Sequence, residues 1–231
     1  MFETLIDFDR ELLLAVNGSD SLFLDRMVRT LTNGLTWIPL YLSLFYMVVR
    51  NNNTVGRILL VLLCAVLCVL LAGTVDDSIV KPLVARWRPT HDPVIGQMVD
   101  VVNGYRGGDY GFFSAHAANT FSIAVFFSLL VRSRLLTVAL VFFYSFTNCW
   151  TRLYLGVHFP GDILCGLLWG GIVGVLVYVL HERLLRRYAH GRRFYPTDQT
   201  TSSGYRLVDI EVVVTVLALT WFYALLRACF Y

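Results

Sequence analysis

Six long stretches without a charged residue dominate this sequence and restrict the folds that it can adopt. They are residues 31–49, 58–75, 117–131, 135–151, 163–180 and 212–226. Each approaches the roughly 20 residues that cross the hydrocarbon core of a bilayer. A backbone inside hydrocarbon must satisfy its own hydrogen bonds, so we expect helices there and not strands. The sequence predicts an all-α polytopic membrane protein with six transmembrane helices, forming a single domain over residues 1–231.

The composition argues against two other classes of protein. Hydrophobic residues make up 57% of the chain and charged residues only 15%, which is unlike a soluble helical domain. The formal net charge of +3 is small and scattered, so it does not indicate a nucleic-acid surface. The five cysteines lie in apolar stretches without metal-ligand spacing, and we interpret them as small core residues.

Residues 1–30 precede the first of these stretches and have an amphipathic pattern. Apolar residues recur near a helical period over residues 3–16, with acidic residues between them. This pattern predicts a helix that lies on the membrane surface. A cleaved signal peptide would begin with basic residues, so we expect this helix to remain in the mature protein. A turn at 17–20 and a second short amphipathic piece at 22–31 follow it.

A polar segment at 151–162 lies between two apolar stretches and contains Arg152, His158 and Asp162. The Arg152 guanidinium is a planar fork of donors that suits a phosphate group. The His158 imidazole offers one ring nitrogen as a nucleophile, and the Asp162 carboxylate can accept the N–H of the other. The alternative is that these residues are interfacial anchors at a membrane boundary.

A second cationic segment begins at Lys81 and ends at Arg88-Pro89. Seven residues are two turns of helix, so we expect Lys81 and Arg88 to point the same way. Pro82 is expected to bend this helix and Pro89 to end it. Two cations on one face repel each other unless an anion lies between them, although both could instead snorkel at a helix end.

Ser114, Ala115 and His116 open the third apolar stretch. Unpaired backbone N–H groups and the helix dipole make such a helix start an anion site. Alternatively, Ser114 is only an N-cap and His116 a buried polar residue. The glycine-rich loop 90–112 before it carries three further candidates for a substrate rim, or is a plain connection. These candidates are Tyr105, Arg106 and Tyr110.

Six spans would bring all these segments to one membrane face, together with both termini. The loops on the opposite face contain ten basic residues against four acidic ones, and the basic loop 181–207 contributes most of them. Because positive loops remain in the cytoplasm, the polar segments are expected to face the periplasm from the inner membrane. The last transmembrane helix would occupy residues 208–231.

The three polar motifs together resemble those of the type 2 phosphatidic acid phosphatase superfamily. The matching segments are Lys81 with Arg88-Pro89, Phe113 to His116, and Thr151-Arg152 with His158 and Asp162. The resemblance covers residues 58–180, which would form the catalytic core. Phe113, Ala115 and Thr151 depart from the proline, glycine and serine of the family pattern.

This resemblance implies a metal-independent phosphatase without a cofactor. His158 would attack phosphorus to form a phosphohistidine, Asp162 would orient it, and His116 would act as general acid and base. The phosphoryl oxygens would be held by a second set of groups. That set comprises Lys81, Arg88, Ser114, Arg152 and the backbone N–H near Ala115. The adjacent acids Asp76 and Asp77 are expected to pair with nearby cations rather than to hold magnesium.

The substrate implied is a membrane lipid phosphate or diphosphate with its tail in the bilayer. The resemblance favours undecaprenyl diphosphate, with lipid A phosphate close behind, ahead of phosphatidylglycerophosphate and phosphatidic acid. A phosphohistidine could also pass its phosphoryl group to a lipid hydroxyl, which would make the protein a phosphotransferase. A non-catalytic lipid-phosphate binder or transporter is the third possibility.

Overall fold

Helices make up the regular structure of this protein, which is described here by a computed structural model over residues 2–188 and 197–230. The helices are α1 Phe2–Leu14, α2 Leu22–Thr32, α3 Ile38–Asn51, α4 Val55–Val75, α5 Lys81–Val84, α6 Ala115–Val131, α7 Arg134–Val138, α8 Thr147–Tyr154, α9 Pro160–Tyr188 and α10 Leu207–Phe230. Wider π-helical turns connect α4 to α5 and α7 to α8. Across the described residues there are no strands, only two isolated β-bridges. The prediction of an all-α protein is confirmed.

Three helical segments are long and apolar enough to cross a membrane, namely 55–84, 160–187 and 207–230. The pair formed by α2 and residues 34–51 would make a fourth if its two parts are one span, although they are bent by 67°. Large apolar side chains such as Leu63 of α4, Leu168 of α9 and Leu219 of α10 are more than half exposed. Exposed apolar helix faces of this kind are typical of contact with lipid.

The sequence predicted one helix over residues 31–49, but in the structure this apolar stretch is bent. The chain turns at Asn33, whose side-chain oxygen accepts a hydrogen bond from the backbone N–H of Leu35 at 3.0 Å. The Trp37 indole N–H donates to the carbonyl oxygen of Leu31 at 2.8 Å across the bend. These bonds satisfy helix-end groups that a continuous helix would have used, so α3 begins only at Ile38.

The segment from Lys81 to Pro89 also differs from the predicted two-turn helix. Helix α5 ends at Val84, and Ala85 has the left-handed conformation with φ of 46°. Arg88 lies beyond it in an extended conformation, so Lys81 and Arg88 do not share a helix face. The backbone N–H of Arg88 donates to the carbonyl of Asp109 at 2.9 Å. This pairing with a distant loop replaces the intrahelical bonds, which is why the prediction was wrong.

Helix α9 is longer than the sequence indicated. It continues to Tyr188, so the first eight residues of the predicted basic loop 181–207 are helical. Residues 189–196 of that loop lie outside the described residues. Residues 197–206 connect to α10, which begins at Leu207.

A stripe of glycines on α9 brings α6 into close contact with it. Gly166, Gly170 and Gly174 are four residues apart and lie against the backbone of α6. A Cβ on Gly170 would lie 2.4 Å from the carbonyl oxygen of Ala118, closer than any side chain permits. The same packing places the start of α6 beside the start of α9, since the Ser114 N–H donates to the Asp162 carbonyl at 3.1 Å.

The main apolar core lies between α3, α4, α6, the 134–146 segment, α9 and α10. Its largest fully buried side chains include Trp37, Phe126 and Tyr144. The buried Tyr144 hydroxyl is hydrogen-bonded to the hydroxyl of the more exposed Tyr41 at 2.6 Å, so this polar group has a partner inside the apolar core. This core holds the helices whose ends carry the polar motifs.

Candidate active site

His158 lies in the short connection between α8 and α9 and is only 2% exposed. Its Nδ1 is 2.9 Å from the carbonyl oxygen of Gly111, and its Nε2 is 3.3 Å from Nη1 of Arg88. A carbonyl can only accept a hydrogen bond and a guanidinium can only donate one. Both contacts therefore assign the proton to Nδ1 and leave the lone pair on Nε2.

The surroundings of His158 also determine its charge. Burial lowers the pKa of the imidazole well below its ordinary value, and the positive charges of Arg88, Arg152 and Lys81 lower it further. The ring is therefore neutral at physiological pH. A neutral imidazole with its lone pair on Nε2 is the form that can act as a nucleophile.

Asp162 lies close to His158 but is bonded elsewhere. Its Oδ2 is 3.7 Å from Nδ1 of His158, beyond hydrogen-bond length, and instead accepts the backbone N–H of Phe159 at 2.9 Å. Its Oδ1 accepts Nη1 of Arg86 at 2.7 Å. In this structure the Gly111 carbonyl occupies the place at Nδ1 that the sequence analysis had assigned to Asp162.

Arg86 is a residue of the site that the sequence analysis missed. Its guanidinium bridges Asp162 and, through Nη2, the Asp9 carboxylate of α1 at 2.6 Å. It also stacks over the Phe159 ring with 4.2 Å to the centroid. The second Asp9 oxygen accepts the backbone N–H of Gly161 at 2.7 Å. The amphipathic helix α1 is thus attached to the start of α9, and no local spacing in the sequence indicated this pairing.

Arg88 is fixed by backbone carbonyl groups on both sides of the site. Its Nε donates to Tyr110 and its Nη1 to Val157, each at 3.1 Å. Two glycines leave room for it: a Cβ on Gly107 would lie 2.6 Å from Nη1, and one on Gly111 would lie 3.0 Å from Cγ. The glycine-rich loop therefore packs over Arg88 and holds its guanidinium beside His158.

This packing predicts different effects for two neighbouring glycines. Gly107→Ala should lower kcat/KM at least tenfold, because the new methyl group displaces a guanidinium that carbonyl bonds hold in place. Gly108→Ala is the matched control, since a Cβ there meets nothing within 4 Å. The measurement is phosphate release, the activity that the motif resemblance implies, by the two purified variants and the unmodified protein. Equal activities would disprove the role of this contact.

Arg152 is 2% exposed and lacks partners for most of its donors. Its Nη1 donates to the Tyr105 hydroxyl at 3.4 Å, and the guanidinium lies 5.8 Å from the centre of that ring. Within residues 2–188 and 197–230, Nε and Nη2 have no hydrogen-bond partner. Burying an uncompensated charge is costly, so this side chain is suited to receive an anion.

Lys81 differs from the other two cations because it already has acidic partners. Its ammonium group is 2.7 Å from Oδ2 of Asp76 and also pairs with Asp77. The expected pairing of these two acids with a nearby cation is therefore present. In the described part of the chain, no three His, Cys, Asp or Glu side chains gather as a metal site would require.

Ser114 is buried and caps α6, its hydroxyl accepting the N–H of Ala117 at 3.4 Å. The N–H groups of Ala115 and His116 belong to the first turn and have no intrahelical partner. His116 is exposed on this first turn, where the charges of Arg152, Lys81 and Arg88 and the His158 ring act on it. The helix start thus offers donors and a second imidazole to one site.

The three candidate rim residues have different positions. Tyr105 reaches the site through its bond to Arg152. Arg106 donates to the Thr90 carbonyl at 3.3 Å, and Tyr110 packs on Trp87 with 5.1 Å between ring centres. Tyr105 and Tyr110 thus both contact predicted phosphate-binding side chains, Tyr105 through its hydroxyl to Arg152 and Tyr110 through its backbone carbonyl to Arg88.

The site combines three cations, a helix start and a neutral imidazole, and comparison with known proteins identifies the family of the chain. The model of the PAP2 superfamily matches residues 60–186. A Lipid A 4'-phosphatase of Bacteroides thetaiotaomicron is 41% identical over 192 residues, which are 81% of this chain and 83% of that protein. A Lipid A 4'-phosphatase of Porphyromonas gingivalis is 34% identical over 185 residues, 78% and 75% of the two chains. No solved structure gives a significant match.

Proposed function

This chain is a phosphatase that belongs to the PAP2 superfamily, and on that premise we propose that it removes a phosphate group from lipid A. The observation that carries the proposal is the buried Arg152 guanidinium, which has two unpaired donors in the pocket of the neutral His158. A phosphate would supply the missing partners. The motif resemblance favoured undecaprenyl diphosphate over lipid A phosphate. Two relatives named for the lipid A 4'-phosphate favour the second of these substrates.

In the proposed mechanism, the lone pair on Nε2 of His158 attacks phosphorus and the bond to the leaving oxygen breaks. Arg88 and Arg152 hold the phosphoryl oxygens, with Lys81 and the free N–H groups at the start of α6 adding positive potential. His116, whose protonated form is favoured by the negative charge of the bound phosphate, gives a proton to the leaving oxygen. It then takes a proton from water, which attacks the phosphohistidine and releases phosphate.

The roles of two further groups follow from the contacts around His158. The Gly111 carbonyl keeps the proton on Nδ1 and so directs Nε2 towards the phosphate. Asp162 acts indirectly. Its bonds to Arg86 and to the Phe159 N–H fix the segment between α8 and α9 in which His158 lies. This arrangement needs no metal ion for charge neutralisation, so we expect the same rate with and without a chelator.

We also propose six membrane spans, with α1 on the surface and the site facing the periplasm from the inner membrane. The excess of basic residues in the opposite loops supports this orientation. Single cysteines at 108 and 203 in a cysteine-free protein test this orientation with an impermeant thiol reagent on spheroplasts, and a Cβ at 108 meets nothing within 4 Å. Labelling at 108 alone is expected, and labelling at 203 alone would show the opposite orientation.

The substrate assignment is tested by phosphate release from a panel of lipids in detergent. The panel contains lipid A, undecaprenyl diphosphate, phosphatidylglycerophosphate and phosphatidic acid, with His158→Ala as the blank. We expect the highest kcat/KM for lipid A. A higher value for undecaprenyl diphosphate would contradict the assignment. Transfer of labelled phosphate to a lipid hydroxyl, in place of its release as inorganic phosphate, would identify a phosphotransferase. Function that survives His158→Ala would identify a non-catalytic binder.

A further inference from the structure

Three arginines outside the catalytic motifs line one polar cavity of about 260 Å³. Arg26 and Arg29 come from α2, and Arg227 comes from the last turn of α10. Thr30 and Asn33 complete the lining. All three arginine side chains are exposed, so their guanidinium groups are accessible to a ligand.

Within the described residues, these arginines lack the acidic partners that Arg10 and Arg86 have at the same end of the bundle. Arg10 pairs with Asp92 at 3.0 Å, and Arg86 bridges two carboxylates. Across residues 2–188 and 197–230 no ion pair joins the three cavity arginines to a carboxylate, and Arg227 donates only to the Tyr223 hydroxyl at 3.3 Å. Three like charges around one cavity repel each other unless an anion occupies it.

An apolar groove of about 360 Å³ adjoins this cavity and shares Arg227 with it. Tyr223, Leu226 and Phe230 of α10 form the rest of its lining. A cationic cavity joined to an apolar groove matches a ligand with an anionic headgroup and a hydrocarbon chain. A free phosphate ion would leave the groove empty, and a neutral lipid would leave the arginines unpaired.

The cavity is separated from the catalytic site by α2, which packs between α8 and α10. On one side, Val28 of α2 lies in an apolar cluster with Tyr154 and Leu155. On the other, Leu31 belongs to the cluster that contains Ala224 of α10. The Tyr154 hydroxyl also donates to Asp25 at 2.6 Å. Both sites therefore lie at the same end of the bundle, on opposite sides of one helix.

We propose that this cavity and groove form a second, non-catalytic site for an anionic glycerophospholipid. The phosphodiester headgroup binds Arg26, Arg29 and Arg227, because guanidinium groups match phosphate oxygens in geometry and charge. One acyl chain lies along Leu226 and Phe230. The bound lipid neutralises the three arginines and holds α2 against α10. This site is independent of which lipid the catalytic centre hydrolyses.

The test is native mass spectrometry of the full-length detergent-purified protein, titrated with phosphatidylglycerol or phosphatidylcholine. The variant R26Q/R29Q/R227Q should bind phosphatidylglycerol roughly 100-fold more weakly than the unmodified protein, at about fivefold per arginine. The control R50Q/R134Q/R183Q removes the same charge from three other exposed arginines and should bind normally. Glycerol phosphate, which has the headgroup phosphate without chains, should bind much more weakly than phosphatidylglycerol to the unmodified protein.

Several outcomes would overturn the proposal. Equal phosphatidylglycerol binding by all three proteins would show that the cavity is not the site, and equal losses in both triple variants would show a general charge effect. If phosphatidylcholine binds as tightly as phosphatidylglycerol, the site does not require an anion. If glycerol phosphate binds as tightly, the apolar groove does not contribute to binding. The single variant Arg29→Gln and an unchanged Tm of the triple variant guard against misfolding. None of these readouts depends on enzymatic activity.

Discussion

Replacing His158 with alanine should abolish phosphate release. We expect kcat/KM to fall more than roughly 10⁴-fold relative to the unmodified protein. The lone pair on Nε2 of His158 faces Arg88. Burial and the surrounding cations keep the imidazole ring neutral. Loss of acid–base assistance alone costs about 10²–10⁴-fold, and loss of the attacking atom should cost more. The measurements are kcat/KM for lipid A and the trapping of labelled phosphate on the protein under alkaline conditions.

A second histidine of the same region provides the matched control. His91 lies in the loop before α6, and its Nδ1 contacts the Thr90 hydroxyl at 3.1 Å. His91→Ala should retain most of the activity and still trap labelled phosphate. A His158→Ala protein that keeps a tenth of the activity, or that still becomes labelled, would remove His158 as the nucleophile.

Replacing Arg152 with methionine should change activity and stability in opposite directions. Its guanidinium is buried with two unpaired donors, so an apolar side chain of similar length should raise the free energy of unfolding by about 1 kcal/mol or more. Loss of a donor that stabilises the transition-state charge should lower kcat by about 10²–10³-fold. Inorganic phosphate should raise the Tm of the unmodified protein and not that of the variant.

Arg86→Met is the matched control, because Arg86 has two carboxylate partners and Arg152 has none among the described residues. Arg86 bridges Asp9 and Asp162, and its removal leaves the fully buried Asp162 carboxylate without its cation. The Tm of this variant should therefore fall. Thermal unfolding in phosphate-free detergent compares the two proteins. A lower Tm for Arg152→Met would contradict the interpretation of Arg152 as an uncompensated charge.

The sequence by itself determined the helical class of the fold and, through the polar motifs, the family of the chain. Uninterrupted apolar stretches predicted helices at 58–75, 117–131 and 163–180, and each lies within a helix of the structure. This works because helical hydrogen bonds join residues four apart and need no distant partner. The start of α6 at Ala115, capped by Ser114, was readable for the same reason.

Only the tertiary structure decided how these local elements combine at the site. Nδ1 of His158 has two possible acceptors, Asp162 four residues away and Gly111 forty-seven residues away, and the distant carbonyl is the closer of the two. The left-handed turn at Ala85, which separates Arg88 from Lys81, likewise accompanies backbone pairing with the 109–111 segment. The bridge from Arg86 to Asp9 depends on the packing of α1 beside α9. Each of these contacts joins segments far apart in the chain, so residue spacing alone does not predict which partner lies nearer.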